Sequence, residues 1–410
     1  MRGLTAEYFN TLKQNGNNIN DFDQIKQLLS GPEKDDYFLG IRNDYLSLYY
    51  KGMSIAKIEK KSKEFKYTMS NYYRSAVINY AKKAMPSQVF WNKTNLDKLK
   101  TKIKDHVFGY HKGNHSLKLE KVCQQWIMNQ NNSAESSEWY YVDMEYVFDQ
   151  TPVGQKGKTS HPYGRTDMIA IRKKANVDNI HEVAFVELKV GSGAYAGGYI
   201  VGDTEEKKDE QRQLFKILKD DNGEGIHDTR LDKIKLGSGI VSHIADFIRL
   251  FAQTDFYSNY IRKELINILT LHKEFGLIDK NSALANISDI NMLSTKPDFY
   301  IVSYGSVPQL DKRAICEKAQ HNFVEEHVKK MKSTFYKYLY TSKYCAKNIF
   351  REVDIKDIIE IQSKFNDFCK TDDESLECIQ HIKEEPFKII FKFINPNDRQ
   401  GRQDAWNCLN

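Results

Sequence analysis

Along the chain the hydrophobic positions change period, and each change predicts an element. Tyr45-Leu46-Ser47-Leu48-Tyr49-Tyr50 and Met53-Ser54-Ile55-Ala56-Lys57-Ile58 alternate on either side of Lys51-Gly52, the pattern of a β-hairpin closed by a tight turn. From Leu117 to Met128 the spacing lengthens, and Leu119, Val122, Cys123, Trp126 and Ile127 fall on one face of a helix. Period two then returns: Glu138–Phe148 reads as a strand rich in Tyr and Val, the loop Thr151–Tyr163 breaks it, and Thr166–Ile171 and Glu182–Val190 read as two more strands. A glycine-rich loop, Gly191–Gly202, precedes a charged helix over about Glu205–Lys219. Gly237–Tyr260 and Arg262–Phe275 read as helices and Pro297–Ser303 as a buried strand. Further on, Arg313–Leu339 and Asp354–Phe368 read as helices, and Phe387–Ile394 is a last strand behind an acidic stretch with Asp372, Asp373, Glu374 and Glu377. The polar runs Gln14–Asn20 and Asn129–Ser137 read as loops, and no internal repeat stands out.

These elements divide the chain into three expected parts. Residues 1–110 form an α+β module containing the hairpin, residues 111–305 an α/β domain with a helical insertion, and residues 306–410 a mostly helical extension. A chain of 410 residues can bury more than one core. With 40% hydrophobic and 28% charged residues it has an ordinary globular composition, and no window approaches the roughly eighteen apolar residues a membrane span needs. The start, MRGLTAEYFNTLKQ, lacks the features of a secretory signal. Six scattered cysteines without a CxxC pair argue against a zinc site and against a disulfide framework. A cytoplasmic protein with reduced thiols and no membrane partner is the expectation.

Charge sharpens the picture. The net charge is only +6, yet residues 51–121 hold 17 Lys or Arg against 5 Asp or Glu. So concentrated a basic block suits a polyanion, because each phosphate neutralised releases counterions; a solvated lysine-rich surface is the alternative. Tyr67, Tyr72, Tyr73 and Tyr80 interleave with Lys61, Lys63, Lys66, Arg74 and Lys82, a mixture able to stack bases and hold phosphates, although ordinary packing explains it as well.

The candidate chemistry lies in Gly164-Arg165-Thr166-Asp167-Met168-Ile169-Ala170-Ile171 and Val183-Ala184-Phe185-Val186-Glu187-Leu188-Lys189-Val190. Two otherwise apolar strands are interrupted by Asp167, Glu187 and Lys189. Glu187 and Lys189 stand two apart and share a face, and hairpin pairing would bring Asp167 close to Glu187. Two carboxylates suit Mg²⁺, a hard cation that keeps waters and accepts phosphate oxygens; a neighbouring lysine can orient a water or offset charge on a phosphoryl transition state. A cross-strand ion pair on a half-exposed sheet is the alternative.

G-R-T-D followed about twenty residues later by F-V-E-L-K-V resembles the signature of the PD-(D/E)XK nuclease superfamily. The resemblance implies a restriction-endonuclease-like core, a mixed central sheet flanked by helices, in the order helix, three strands, helix, strand. It implies metal ligation by Asp167, Glu187 and the carbonyl of Leu188, with Lys189 as the catalytic lysine and Mg²⁺, or Mn²⁺ in its place, as cofactor. Thr166 stands where the family name calls for Pro, while Gly164 matches members with Gly three before the Asp. An additional acid would fall on Glu120 or Glu145; Glu120 is preferred, since Glu145 can pair across the sheet. A helix bearing Gln follows the lysine motif in many members, and Gln211, with Phe215 four residues on, matches in part. Arg165 and the basic module's Lys61, Lys63, Lys66 and Arg74 are the expected nucleic-acid contacts.

Two other segments carry less. Gly191–Gly198 lacks the GK[ST] ending of a phosphate loop and reads as a loop bordering the cleft. His243 and Asp246 share a helix face, but a buried, hydrogen-bonded His accounts for that. The sequence thus leads to a Mg²⁺-dependent nuclease acting on DNA, an endonuclease or exonuclease of the kind found in restriction or anti-phage defence. A nuclease fold kept only for binding or assembly, and a ribonuclease, are the alternatives. No ATPase motif is present, so energy-driven movement would need another subunit. A homodimer would suit double-strand cutting.

Overall fold

In the computed structural model, residues 2–14, 20–75, 84–108, 115–147, 153, 165–190, 256–304, 364, 375–382 and 385–394 are described. The chain opens with α1 (Ala6–Lys13), capped by the Thr5 side chain, and α2 (Asp21–Ser30), capped by Asn20. Their buried Tyr8, Leu12, Ile25 and Leu29 pack on a sheet formed by β1 (Tyr37–Ile41), β2 (Leu46–Tyr50), β3 (Met53–Lys61), β4 (Glu64–Thr68) and β5 (Ala84–Pro86). This sheet is antiparallel throughout, in the order β1-β2-β3-β4-β5. The expected hairpin is β2–β3. Lys51 (φ 48°) and Gly52 (φ 79°) both take the left-handed conformation that a two-residue hairpin turn requires. α3 (Asn71–Arg74) lies between β4 and β5, and α4 (Ser87–Phe90) and α5 (Lys93–Phe108) follow.

The second half begins with α6 (His115–Ser133), then β6 (Trp139–Val147), β7 (Arg165–Arg172) and β8 (Val183–Val190). A π-helical turn, Tyr257–Ile261, leads into α7 (Arg262–Phe275), and β9 (Asp298–Tyr304), β10 (Ser375–Ile382) and β11 (Glu385–Ile394) complete the described elements. The sheet order is β10-β11-β9-β8-β7-β6, with β8–β9 and β9–β11 parallel and the other pairs antiparallel. The molecule is therefore α/β, with one antiparallel and one mixed sheet.

Both faces of the mixed sheet are buried, which is why its strands read as nearly continuous apolar runs. Ile169, Ile171, Val183, Phe185, Phe299 and Ile301 join Leu265 and Ile268 of α7 in a core that also includes Leu39, Leu48 and Ile58 of the first sheet. Met168, Ala170, Ala184, Val186, Leu188 and Val302 instead pack with Cys123, Ile127 and Met128 of α6. A buried ion cluster joins the two sheets: Asp143 of β6 accepts from Arg42 Nη1 at 2.7 Å and from Arg2.

Two expectations need correction. The run Asn129–Ser137 is not all loop, because α6 continues to Ser133. Its asparagines find tertiary partners: Asn129 Nδ2 donates to the Asp35 and Tyr37 carbonyls at 2.8 Å, and Asn132 Nδ2 to that of Tyr141 at 2.9 Å. In the C-terminal part, Glu377 of the acidic stretch belongs to a strand, β10, which pairs with β11 along its length. The glycine-rich loop, the helices expected over 205–219, 313–339 and 354–368 apart from Lys364, and Gln211, His243 and Asp246 lie outside the described residues.

Candidate active site

The register of the mixed sheet makes a fork. Pairing of β7 with β8 ends at Met168↔Val186, whereas β8 stays with β9 as far as Val190↔Tyr304 and β7 stays with β6 as far as Arg165↔Val147. Asp167 and Glu187 are the first residues beyond the last β7–β8 pair. By alternation they share a face with Ile169 and Phe185, and Lys189 follows Glu187 on that face. Asp167, Glu187 and Lys189 are 5%, 3% and 5% exposed.

Side chains replace the missing ladder bonds. Asp167 Oδ2 accepts from the Leu188 amide at 2.8 Å. The Thr166 hydroxyl donates to the Val186 carbonyl at 2.9 Å, so the residue standing in place of Pro satisfies the last carbonyl before the fork. In an extended strand a residue's N–H and C=O point to the same side, so the Leu188 carbonyl also faces the gap towards β7. From α6, Gln124 Nε2 donates to the Asp167 carbonyl and holds the helix against the fork. Lys189 Nζ lies 2.5 Å from Glu187 Oε1.

Burial raises the Asp167 carboxyl well above its ordinary pKa; the charge of Glu187 pushes the same way and Lys189 opposes it. Burial also raises Glu120, with Lys189 lowering and Glu187 raising it further, so α6 delivers Glu120 into the same electrostatic field. Burial alone would lower the Lys189 ammonium, but Glu187 and Asp167 outweigh it and hold the group above its ordinary range. Asp167, Glu187, Glu120 and Glu145 thus share one field with the cations Lys189 and Arg165, an excess of carboxyls that a cation would relieve.

The donors suit a hard cation by their chemistry: two carboxylates at the fork, a main-chain carbonyl between them, and a third carboxyl on α6. The nearby Cys123 thiol is pushed up to about 12 by burial, so it stays protonated and offers no thiolate. Among the described residues, no three His, Cys, Asp or Glu side chains converge closely enough to hold a metal ion. A complete set therefore needs the Leu188 carbonyl, waters or the substrate as well.

Of the other candidates, Arg165 is brought to this region. Its Nη1 lies 2.8 Å from Glu145 Oε2, and Lys121 Nζ is 3.5 Å from Glu145 Oε1. Glu145 is thus paired across the sheet, while the charges that act most on Glu120 are those of Lys189 and Glu187. Lys61 and Lys63 are exposed at the β3–β4 turn, Lys66 pairs with Glu64 at 2.9 Å, and Arg74 sits on α3. All four belong to the region of the first sheet, away from the fork strands. Tyr67 and Tyr73 are buried, and Tyr67 stacks on Phe90 at 4.3 Å within the core, which excludes both from stacking bases. Gln124 and Lys121 were not picked out by sequence reasoning; the available signal was Gln124 standing four residues after Glu120, one helical turn along the same face. No protein-family model matches the chain, and no curated protein or solved structure matches it.

Proposed function

We propose that the chain is a Mg²⁺-dependent nuclease acting on DNA, of the PD-(D/E)XK type that its G-R-T-D and F-V-E-L-K-V segments resemble. The fork carries the reading: it gathers Asp167, Glu187 and Lys189, buried and electrostatically coupled, where β7 and β8 part. Among the described residues, α6, β6–β8 and β9 follow the order expected of that core, and the helix expected over 205–219 lies outside them. A bound Mg²⁺ would polarise the scissile phosphate and lower the pKa of a ligated water. Asp167, Glu187 and the Leu188 carbonyl would hold it, with Glu120 adding negative charge from α6. The Leu188 amide fixes the orientation of Asp167. Lys189, kept charged by Glu187 and Asp167, would offset charge growing on the phosphate oxygens.

The Lys189–Glu187 contact of 2.5 Å also favours a second reading, a structural ion pair in a nuclease fold retained for binding or assembly. The two separate on supercoiled plasmid, linear DNA and single-stranded RNA, each incubated with Mg²⁺, Mn²⁺ or EDTA. Metal-dependent cleavage that falls at least about 100-fold in Lys189→Ala and in Asp167→Asn supports the enzyme. The nucleic acid that is cut identifies the substrate. Metal-independent, salt-sensitive binding without cleavage supports the second reading.

A further inference from the structure

Among the described residues of β7, Asp167 alone lacks a register partner on either side. Arg165, Thr166 and Met168 to Arg172 pair with β6, and pairing with β8 begins only at Met168. The gap on the β6 side has a local cause: Glu145, which the register sets opposite Asp167, takes the left-handed conformation at φ 51°. A buried main-chain carbonyl in such a gap needs a partner from outside the sheet. Gln124 of α6, 1% exposed, supplies it, with Nε2 donating to the Asp167 carbonyl. The Asp167 carboxylate is held separately, by the Leu188 amide at 2.8 Å. One residue is thus gripped at its main chain by α6 and at its side chain by β8. Glu120 stands one helical turn before Gln124. A neutral amide therefore links the helix that carries Glu120 to the strand that carries Asp167, and it adds no charge to a site already rich in carboxyls. Gln125 anchors the same helix elsewhere, accepting from the Gly52 amide and donating to the Asp36 carbonyl, both at 2.6 Å.

We infer that Gln124 is a positioning residue: it sets the separation between Glu120 and Asp167, and through it the affinity of the fork for Mg²⁺ and its preference for Mg²⁺ over the larger Ca²⁺. The inference rests on the metal-dependent reading of the fork and deepens it. Mg²⁺ takes oxygen ligands at about 2.0–2.1 Å in a near-ideal octahedron, whereas Ca²⁺ accepts about 2.3–2.6 Å and looser geometry. A brace that keeps two carboxyl-bearing elements from drifting apart therefore favours the smaller ion. Without it the Asp167 carbonyl is left buried and unpaired, and helix and strand gain by separating until water reaches it. That widening penalises Mg²⁺ more than Ca²⁺. Groups that hold metal ligands in place commonly govern metal affinity by about 10- to 100-fold.

Isothermal titration calorimetry with Mg²⁺ and with Ca²⁺, in the absence of nucleic acid, tests this beside melting temperatures taken in EDTA. Gln124→Met keeps the length of the side chain and removes the donor. It should raise the Kd for Mg²⁺ by about tenfold or more and that for Ca²⁺ by less, so that the preference for Mg²⁺ falls. Gln124→Asn, whose amide is one methylene short, should shift the preference in the same direction and decides the matter if Gln124→Met does not fold. Leu29→Ala, a core truncation on α2, should lower the melting temperature and leave both Kd values unchanged. Unchanged Mg²⁺ affinity in Gln124→Met, or equal losses for the two ions, would overturn the positioning role while the metal site stands. The same shift of preference in Leu29→Ala would assign the effect to general stability and overturn it too. Absence of binding by the unsubstituted protein would instead remove the metal reading of the fork, and this inference with it.

Discussion

Asp167 sits where the surroundings penalise its charged form. Burial and Glu187 raise its folded-state pKa above the unfolded value, so the stability it contributes is present at low pH and is lost as pH rises through the folded value. Asp167→Asn removes that charge yet keeps an oxygen for the Leu188 amide. In EDTA at pH 8 the variant should therefore melt higher than the unsubstituted protein, since a tenfold change in proton affinity on folding is worth about 1.4 kcal/mol. Mg²⁺ should raise the melting temperature of the unsubstituted protein and not that of the variant. A variant that melts lower in EDTA would contradict the buried-charge account. His272 works with the opposite sign. Burial pushes its imidazole from 6.5 down to about 4, with the charge of Asp143 opposing, while Tyr140 Oη lies 2.8 Å from its Nδ1. A depressed folded value means stability present above 6.5 and lost as pH falls towards 4. Urea midpoints should accordingly drop between pH 7 and pH 5, and by less in His272→Gln.

The β2–β3 hairpin couples two elements that are distant in sequence. The Gly52 amide donates to Gln125 Oε1 at 2.6 Å, and a Cβ on Gly52 would lie 2.1 Å from the Lys121 carbonyl oxygen of α6. Gly52→Ala must therefore push the turn away from the helix that carries Glu120 and Gln124. We expect a stability loss of about 1–3 kcal/mol by denaturant titration, together with reduced cleavage. Unchanged cleavage in a destabilised variant would show that the hairpin does not position α6. The turn itself was legible, because Lys51-Gly52 between two alternating runs has few other conformations. β6, β7, β8 and β9 were legible as well, as apolar runs with charges at informative positions, and so were Asp167, Glu187 and Lys189. β10 was not: Ser375–Ile382 owes its conformation to pairing with β11, a partner that local pattern does not reveal. The helical state of Asn129–Ser133 was hidden for the same reason, since carbonyls from other elements satisfy those asparagines.

At the scale of the molecule, the first sheet and the mixed sheet share one apolar core and are pinned together by Asp143 with Arg2 and Arg42. The Asp143 side chain is fully buried; burial alone would lower the Arg42 guanidinium, but the charge of Asp143 outweighs it and holds the group above its ordinary range. Asp143→Ala leaves two guanidiniums in the interior without their counter-charge and should cost about 3–5 kcal/mol, measured by denaturant titration. A loss below about 1 kcal/mol would show that water or other acceptors take over. No sequence pattern could have shown this cluster, because Arg2 and Arg42 stand 141 and 101 residues from Asp143.

The fork also sets a counting rule for the chain. Residues 174–180 join β7 to β8 between the Lys173–Glu138 and Arg172–Glu182 backbone bonds and the His181–Leu293 bridge, and added length among them leaves the strand pairs untouched. Between Val183 and Glu187 the count is fixed. One inserted residue would turn Glu187 and Lys189 towards α6 and bring Leu188 to the face beside Asp167. Two would restore the face but carry the acid about 6.7 Å past its partner. Only a stretch of unaltered length keeps both side and reach, so in this strand spacing is as much a part of the site as the identity of its residues.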